Sequence, residues 1–398
     1  MSPKEIEFAV IGGGVLGTLC ALNIAQLGFS CTLIDKREKL WSGASFTGEG
    51  KIHLGFVYGL ADDKTLEGLI NSALTFTNDF EMSINENLNW SNIVSIPFTY
   101  AIPNNSLISS ENFVLHGKKI SDIVKKINRN SKISYLGQLL PMESLVPKVL
   151  NTSENLFLTI ERAVDTQFLR EKVIKLICEN QSIQVLSESK VVGIQNNFGK
   201  IELEILNPKS NNKTMKRYDY VINCAWEEAA FLDSLMFSKK VDIPNLRLRM
   251  FAHGKSSRPN RALTATLGPF GDYVTFANGR TYASWYSSGL LGFVESLKPP
   301  KEWLRMEGGK NQKQFLHGLS ENLGKWIPEI SDLQDIELFS RIVVGYGATD
   351  IDDLESNLHN RFEPEIVIDD GWISVKSAKF TSAPSAARLL KKKLMELI

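Results

Sequence analysis

Residues 8–35, FAVIGGGVLGTLCALNIAQLGFSCTLID, constrain the fold more than any other stretch of the chain. A β-branched run leads into Gly12, Gly14 and Gly17, and an apolar helical stretch, a second strand and Asp35 follow. GxGxxG alone is a weak signal, but here each position has a mechanical job in a strand–turn–helix unit. Gly12 makes the tight turn, Gly14 lets a pyrophosphate approach the backbone, and Gly17 and Ala21 let the helix lie close on the sheet. Val15 and Leu16 open that helix, whose N-terminus offers unpaired N–H donors and a positive dipole end. Asp35 can accept from a ribose hydroxyl, with Lys36 directly after it. The unit predicts a dinucleotide that contains ADP.

The same stretch is apolar enough to raise a membrane anchor as an alternative. Gly12 and Gly14 would weaken a helix there, Asn23 and Gln26 sit in its second half, and the flank Lys4, Glu5, Glu7 lacks a basic n-region. A buried parallel strand and a packed helix account for it better. Among 398 residues, 45 are basic and 45 acidic, so no global field favours nucleic acid or anionic lipid. The richest basic stretch, Lys118–Lys132, carries no interleaved aromatics and is expected to be a solvated helix face. Cys20, Cys31, Cys178 and Cys224 show no metal spacing and are expected as reduced core thiols of a cytoplasmic protein. The five histidines form no HExxH pair, and no metal is expected.

Periodicity predicts helices over Asp62–Glu81, Thr166–Asn180 and Asn311–Leu323, and another from Ser382. Strands are expected at Ile183–Leu186, Lys190–Gln195, Lys200–Leu206, within Tyr218–Ala225, through Ile243–Phe276, and at Arg280–Tyr286, Ile366–Asp369 and Trp372–Lys376. Asn197–Gly199 and Asp370–Gly371 are the turns between neighbours. A nucleotide-binding start therefore recurs in the middle and at the end of the chain, with β-rich segments between. That interleaving suits a flavoprotein whose cofactor is held by the first and last segments together.

Across essentially its whole length the chain resembles the FAD-dependent oxidoreductases of the D-amino-acid oxidase type. These include glycine and sarcosine oxidases and the flavin-linked 2-hydroxyglutarate and glycerol-3-phosphate dehydrogenases. The resemblance rests on the glycine fingerprint with Asp35, on GASFTGEGKIHLG (Gly43–Gly55), on ERAVDTQFLREKV and YDYVINCAW, and on GWISVKSAKFTS (Gly371–Ser382). It implies that Ala44 and Ser45 approach pyrophosphate and flavin, that Gly50 lies beneath the ring, and that the backbone near Val191 contacts adenine. It also implies that Lys379, followed by Phe380, lies near the pyrimidine edge of the flavin. His53 matches a histidine of the hydroxyacid and glycerophosphate branches, with three roles open: a base or substrate contact, a structural hydrogen bond, or a covalent flavin link. The chain departs from the family pattern at Gly48, at Trp226 where glycine is typical, and at Ser377 and Ala378 in place of a glycine pair.

The expected fold is α/β: a Rossmann-like FAD-binding domain (1–85, 150–240 and 336–398) with an interleaved mixed/antiparallel β-sheet substrate domain (86–149 and 241–335). The expected activity is oxidation of a CH–NH or CH–OH bond in a small polar, anionic substrate, with FAD as cofactor and no membrane span. A non-catalytic flavoprotein of the same fold and a nicotinamide-dependent dehydrogenase are the alternatives. Arg341 is the candidate carboxylate clamp, an interface salt bridge being its other explanation. Tyr286 and Tyr282 are candidates in a strand where core packing would equally account for them. Arg247 and Arg249 share a strand face, so either could serve an anionic substrate, though solvated edge charges are the expected account. For Glu49 and Lys51 the sequence does not separate function from packing.

Overall fold

Alternation in the first strand, Glu7–Ile11, decides the layering. Phe8 and Val10 turn to one side, Ala9 and Ile11 to the other, and all four are buried. A strand apolar on both faces belongs inside a sheet covered on both sides. In a computed structural model describing residues 6–127, 133–237, 240–305, 311–361, 363–377 and 379–398, it takes that place. Lys4, Glu5, residues 128–132 of the basic stretch, and Ala378 lie outside the described residues.

The six-stranded sheet runs, in spatial order, Ile183–Leu186, Ser30–Ile34, Glu7–Ile11, Tyr220–Asn223, Trp372–Lys376 and Glu365–Asp369. All neighbours are parallel except the last two strands, which the turn at Asp370 and Gly371 joins as a hairpin. On one face, Phe8, Val10, Leu33, Ile222 and Ile373 share a core with the helices Val15–Gln26, Asp63–Ile84 and Ala383–Leu397. On the other, Ala9, Ile11, Ile34, Val221 and Trp372 pack under a three-stranded antiparallel sheet and the helix Ala229–Met236. That small sheet contains the hairpin expected at Asn197–Gly199, with Phe198 and Gly199 both at positive φ.

A second, mixed sheet of nine strands stands over the first. Its long central strand Asn245–Lys255 pairs with Arg280–Trp285, Leu290–Glu295 and Gln334–Gly345. Lys148–Asn151, Leu156–Leu158 and Gln334–Gly345 all belong to it, so the sheet runs past the limits 86–149 and 241–335. The alternation is again two-sided. Met250, Ala252, Leu263, Tyr273, Ala283 and Trp285 pack with Phe315 and Leu319 of the helix Asn311–Leu323. Their neighbours Arg249, Phe251, Thr264, Asp272 and Tyr282 face a cavity on the other side.

Three expectations need correction. Arg247 and Arg249 are not edge charges, because their strand is central; Arg247 is only 3% exposed. Cys178 is exposed, whereas Cys20, Cys31 and Cys224 are buried free thiols. The strand Gln334–Gly345 has no counterpart in the periodicity. The described part of the basic stretch forms the second half of the helix Ser110–Ile127, where Lys118, Lys119, Lys125 and Lys126 are exposed and Ile120 and Val124 are buried with Phe113. No helix among the described residues is long and apolar enough to cross a membrane.

Candidate functional site

Two cavities of about 260 and 240 Å³ adjoin, the first along the parallel sheet and the second under the large one. The glycine turn builds the start of the first. A Cβ on Gly12 (φ 105) would run into Cys224 O, and one on Gly17 would run into Gly12 O. Gly17 thus serves the close approach of helix and strand and does not line the cavity, whereas Gly12, Gly14, Val15 and Leu16 do. The helix N-terminus already draws an oxygen, since Val15 N–H donates to Ser45 Oγ at 2.9 Å. Ala44 and Ser45 continue the wall, and Gly50 (φ 72) lies against Val164 O with no room for a side chain.

Asp35 lines the same cavity, but its carboxylate also holds the turn together. Oδ2 accepts from Gly13 N–H at 2.6 Å and Oδ1 from Arg37 N–H at 2.7 Å. Beyond it lies a lattice of charges that sequence reasoning missed. Lys36 Nζ reaches Glu227 Oε1 at 3.0 Å and Glu228 Oε2 at 3.1 Å; Arg37 reaches Glu227 at 2.7 Å, and Lys190 reaches Glu228 at 2.8 Å. Burial alone would push the Glu227 carboxyl up, yet Lys36 and Arg37 outweigh it and hold it far below the usual range. Val191 lines this end beside Lys190. Trp226, where the family pattern has glycine, does adopt a left-handed conformation (φ 50), and its indole donates to Ile342 O at 3.0 Å.

The described geometry fits a dinucleotide of the FAD type: a Cβ-free turn, a helix N-terminus that seeks oxygen, and an acid at the end of the second strand. At the far end of this cavity Lys379 and Phe380 complete the wall from the C-terminal segment.

His53 and Lys379 line both cavities. His53 is 4% exposed; its backbone N–H donates to Thr381 Oγ1 at 3.0 Å, and its Nδ1 has no hydrogen-bond partner. Glu49 Oε1 lies 3.7 Å from its Nε2 and Glu161 Oε1 lies 4.0 Å from Nδ1. Burial, reinforced by Lys379, Lys51 and Arg361, holds the imidazole well below the ordinary histidine range. It is therefore neutral at pH 7, with a ring nitrogen not engaged by any protein group among the described residues.

Lys51, 2% exposed, donates to Asp272 Oδ1 at 2.5 Å and to Thr264 Oγ1, with the Phe98 ring 4.3 Å from its Nζ. Burial disfavours its charge, but Asp272, Glu161 and Glu49 outweigh that and raise its pKa. Glu161, fully buried, accepts from Tyr100 Oη and from Leu54 N–H at 2.7 Å; burial raises its carboxyl above the usual range.

Arg341 and Tyr286 both line the second cavity. The Arg341 fork is turned to backbone: Nε donates to Ser42 O at 2.9 Å and Nη1 to Ser340 O at 2.6 Å. It ties the large sheet to the loop that carries Ala44 and Ser45. Tyr286 Oη donates to Asp350 Oδ1 at 2.5 Å and accepts from Arg247 Nη1 at 3.3 Å, and burial pushes its pKa up to about 12. Tyr282 lines the cavity too, as alternation predicts. Arg249, its strand partner across from Arg341, and Arg361 complete the cationic wall. The alternation in Asn245–Phe251 was the available signal for Arg249; nothing local marks Arg361.

Residues 7–392 match the model of the family described as DAO: FAD dependent oxidoreductase. No curated protein matches the chain. Among solved structures, it is similar to the L-proline dehydrogenase from P. horikoshii (TM-score 0.64, 16% identity, covering 99% of this chain and 94% of that one). It is likewise similar to the glycine oxidase from Geobacillus kaustophilus (0.65, 11%, 98% and 94%). The L-amino acid deaminase from Proteus myxofaciens, in complex with anthranilate, is a third (0.65, 14%, 99% and 91%). At these identities the likeness is one of fold.

Proposed function

Because the chain belongs to the family of FAD dependent oxidoreductases, we propose that it oxidises a CH–NH or CH–OH bond of a small, polar, anionic substrate. FAD bound along the first cavity supplies a two-electron acceptor at flavin N5. The observation that carries this reading is the position of His53, a buried neutral imidazole on the wall of both cavities. Gly12–Val15, Asp35, Lys36 and Val191 hold the nucleotide end, Ala44, Ser45 and Gly50 the middle, and Lys379 and Phe380 the flavin end. Glycerophosphate and glycine oxidation are stated of structures with the same fold, so both bond classes are within its compass.

The residues divide the work. The cationic wall binds and orients an acid group of the substrate, and aromatic rings around it exclude water. Arg341 acts through the Ser42–Ser45 loop that it holds, and Tyr286 by fixing Arg247 and Asp350. If the substrate is an alcohol, its hydroxyl proton leaves as hydride departs, and the unprotonated His53 ring takes it up. An amine that binds neutral needs no such base.

Purified protein reconstituted with FAD and screened anaerobically for bleaching of the flavin band tests this. The panel comprises D- and L-amino acids, N-methyl amino acids, 2-hydroxyacids and glycerol phosphate. Bleaching by one class is expected; a chain that binds NAD and no flavin, or a flavin that no member bleaches, would overturn it.

A further inference from the structure

Several interior cations that lie away from the second cavity are matched with carboxylates. Lys36 has Glu227, Arg280 has Asp165, and Arg247 has Asp350 Oδ1 at 4.0 Å with Tyr286 Oη at 3.3 Å. Lys51, on the cavity wall, is matched by Asp272. Three lining cations lack such a partner. Arg249, Arg361 and Lys379 have no carboxylate in salt-bridge contact among the described residues.

Arg249 lies with its guanidinium carbon 4.5 Å from the Tyr286 ring centre and 5.2 Å from that of Phe251, and its buried Nε has no hydrogen-bond partner. Arg361 lies 5.5 Å from the Tyr58 ring centre. Its Nη1 donates to Leu358 O and to Asn360 O, which anchor the group and leave its charge uncompensated. Opposite them stands one lining carboxylate without a lysine or arginine, Glu49, whose neighbour is the neutral His53. Lys379 and Arg361 also line the first cavity, so both stand where the two cavities meet. Arg249, Arg361 and Lys379 against Glu49 leave the wall an excess of two positive charges, and two of the three cations are guanidinium forks that lie against aromatic rings. Half-buried guanidinium groups without a carboxylate gain from an incoming anion, and each fork matches a carboxylate bidentately.

We propose that the substrate is a dianion with two acid groups, one received by Arg249 and the other by Arg361. This rests on the oxidoreductase reading above and narrows it. A simple monoacid would leave one of the two forks unmatched.

The test uses FAD-loaded protein and redox-inert acids. Butyrate and succinate form one pair of equal length, valerate and glutarate another, and inorganic phosphate is the compact dianion. Binding is read by calorimetry and by perturbation of the flavin absorption band. A diacid is expected to bind about 10- to 100-fold more tightly than its matched monoacid, the range for one charge-assisted contact. Arg249→Gln and Arg361→Gln should each bring that preference below about threefold while the flavin spectrum is retained. Equal binding of monoacids and diacids by the unaltered protein would overturn the proposal without need of any variant. So would phosphate binding as tightly as the better diacid, since one compact group would then satisfy the wall. Flavin bleaching by a monoacidic substrate without diacid preference removes the dianion alone; diacid preference without bleaching by any diacidic amine or hydroxyacid removes the oxidoreductase reading instead.

Discussion

Lys51 is buried on the cavity wall, and a carboxylate at hydrogen-bond distance keeps its charge there. Removing one member of such a pair leaves the other buried and uncompensated, which costs about 3–5 kcal/mol. Lys51→Met should destabilise the chain by that amount in denaturant titration, because Asp272 and Glu161 lose their cation. Lys51→Met with Asp272→Leu should recover a large part of it. Asp35 has a different weight. Its carboxylate joins Gly13 and Arg37 as well as facing the nucleotide end, so Asp35→Ala should weaken FAD binding by about 1.5–3 kcal/mol, roughly 10- to 150-fold in Kd. For His53 the outcome discriminates between chemistries. His53→Ala should retain FAD and lose about 100- to 10,000-fold in rate on an alcohol, and much less on an amine. The acid limb of kcat/KM for an alcohol should lie well below pH 6.5, since the folded imidazole titrates below that value.

At the scale of elements, the short ladder between Lys51–Ile52 and Arg162–Ala163 is pinned where Gly50 meets Val164 O. Gly50→Ala places a Cβ both in the left-handed region and against that carbonyl. It should lower thermal stability by at least about 1–2 kcal/mol and weaken FAD retention together, read by melting and by released flavin fluorescence. Helices such as Thr166–Glu179 and Asn311–Leu323 were legible in the sequence because their spacing is a local property. The glycine turn was legible for the same reason: its parts are contiguous. Gln334–Gly345 was not, because Glu337, Ser340 and Arg341 interrupt its apolar run and its pairing partner lies far away at Asn245–Lys255. The second cavity was hidden in the same way. Lys51, Arg249, Asp272 and Arg361 come to one cavity from segments far apart in the chain. Trp226 is the converse case, a bulky residue in a glycine-like conformation that no propensity would suggest.

The whole molecule couples these groups to pH. His53 and His253 are both buried and neutral; burial takes His253 down to about 3, with Arg280 and Arg341 adding to it. Their folded pKa values lie below the unfolded value of about 6.5, so below that pH the unfolded chain binds more protons than the folded one. Stability from these two is fully present above pH 6.5 and is lost on acidification, for His253 down to about pH 3. The slope is at most about 1.4 kcal/mol per pH unit for each histidine. His253→Phe, which keeps a ring among Phe46, Tyr282 and Phe339, should flatten the slope of unfolding free energy between pH 6 and 4.

One contact bears on how such a chain comes to be made. Asn23 Nδ2 in the first helix donates to Ala387 O in the last, at 3.1 Å and across 364 residues of sequence. At usual rates of synthesis, the ribosome needs on the order of 20 to 70 seconds to deliver the second partner after the first. For that interval the side of the glycine-turn helix that meets the last helix is uncovered, and the strand Trp372–Lys376 has yet to close the sheet beside Tyr220–Asn223. The first cavity, walled also by Lys379 and Phe380, is therefore incomplete until that segment has been made.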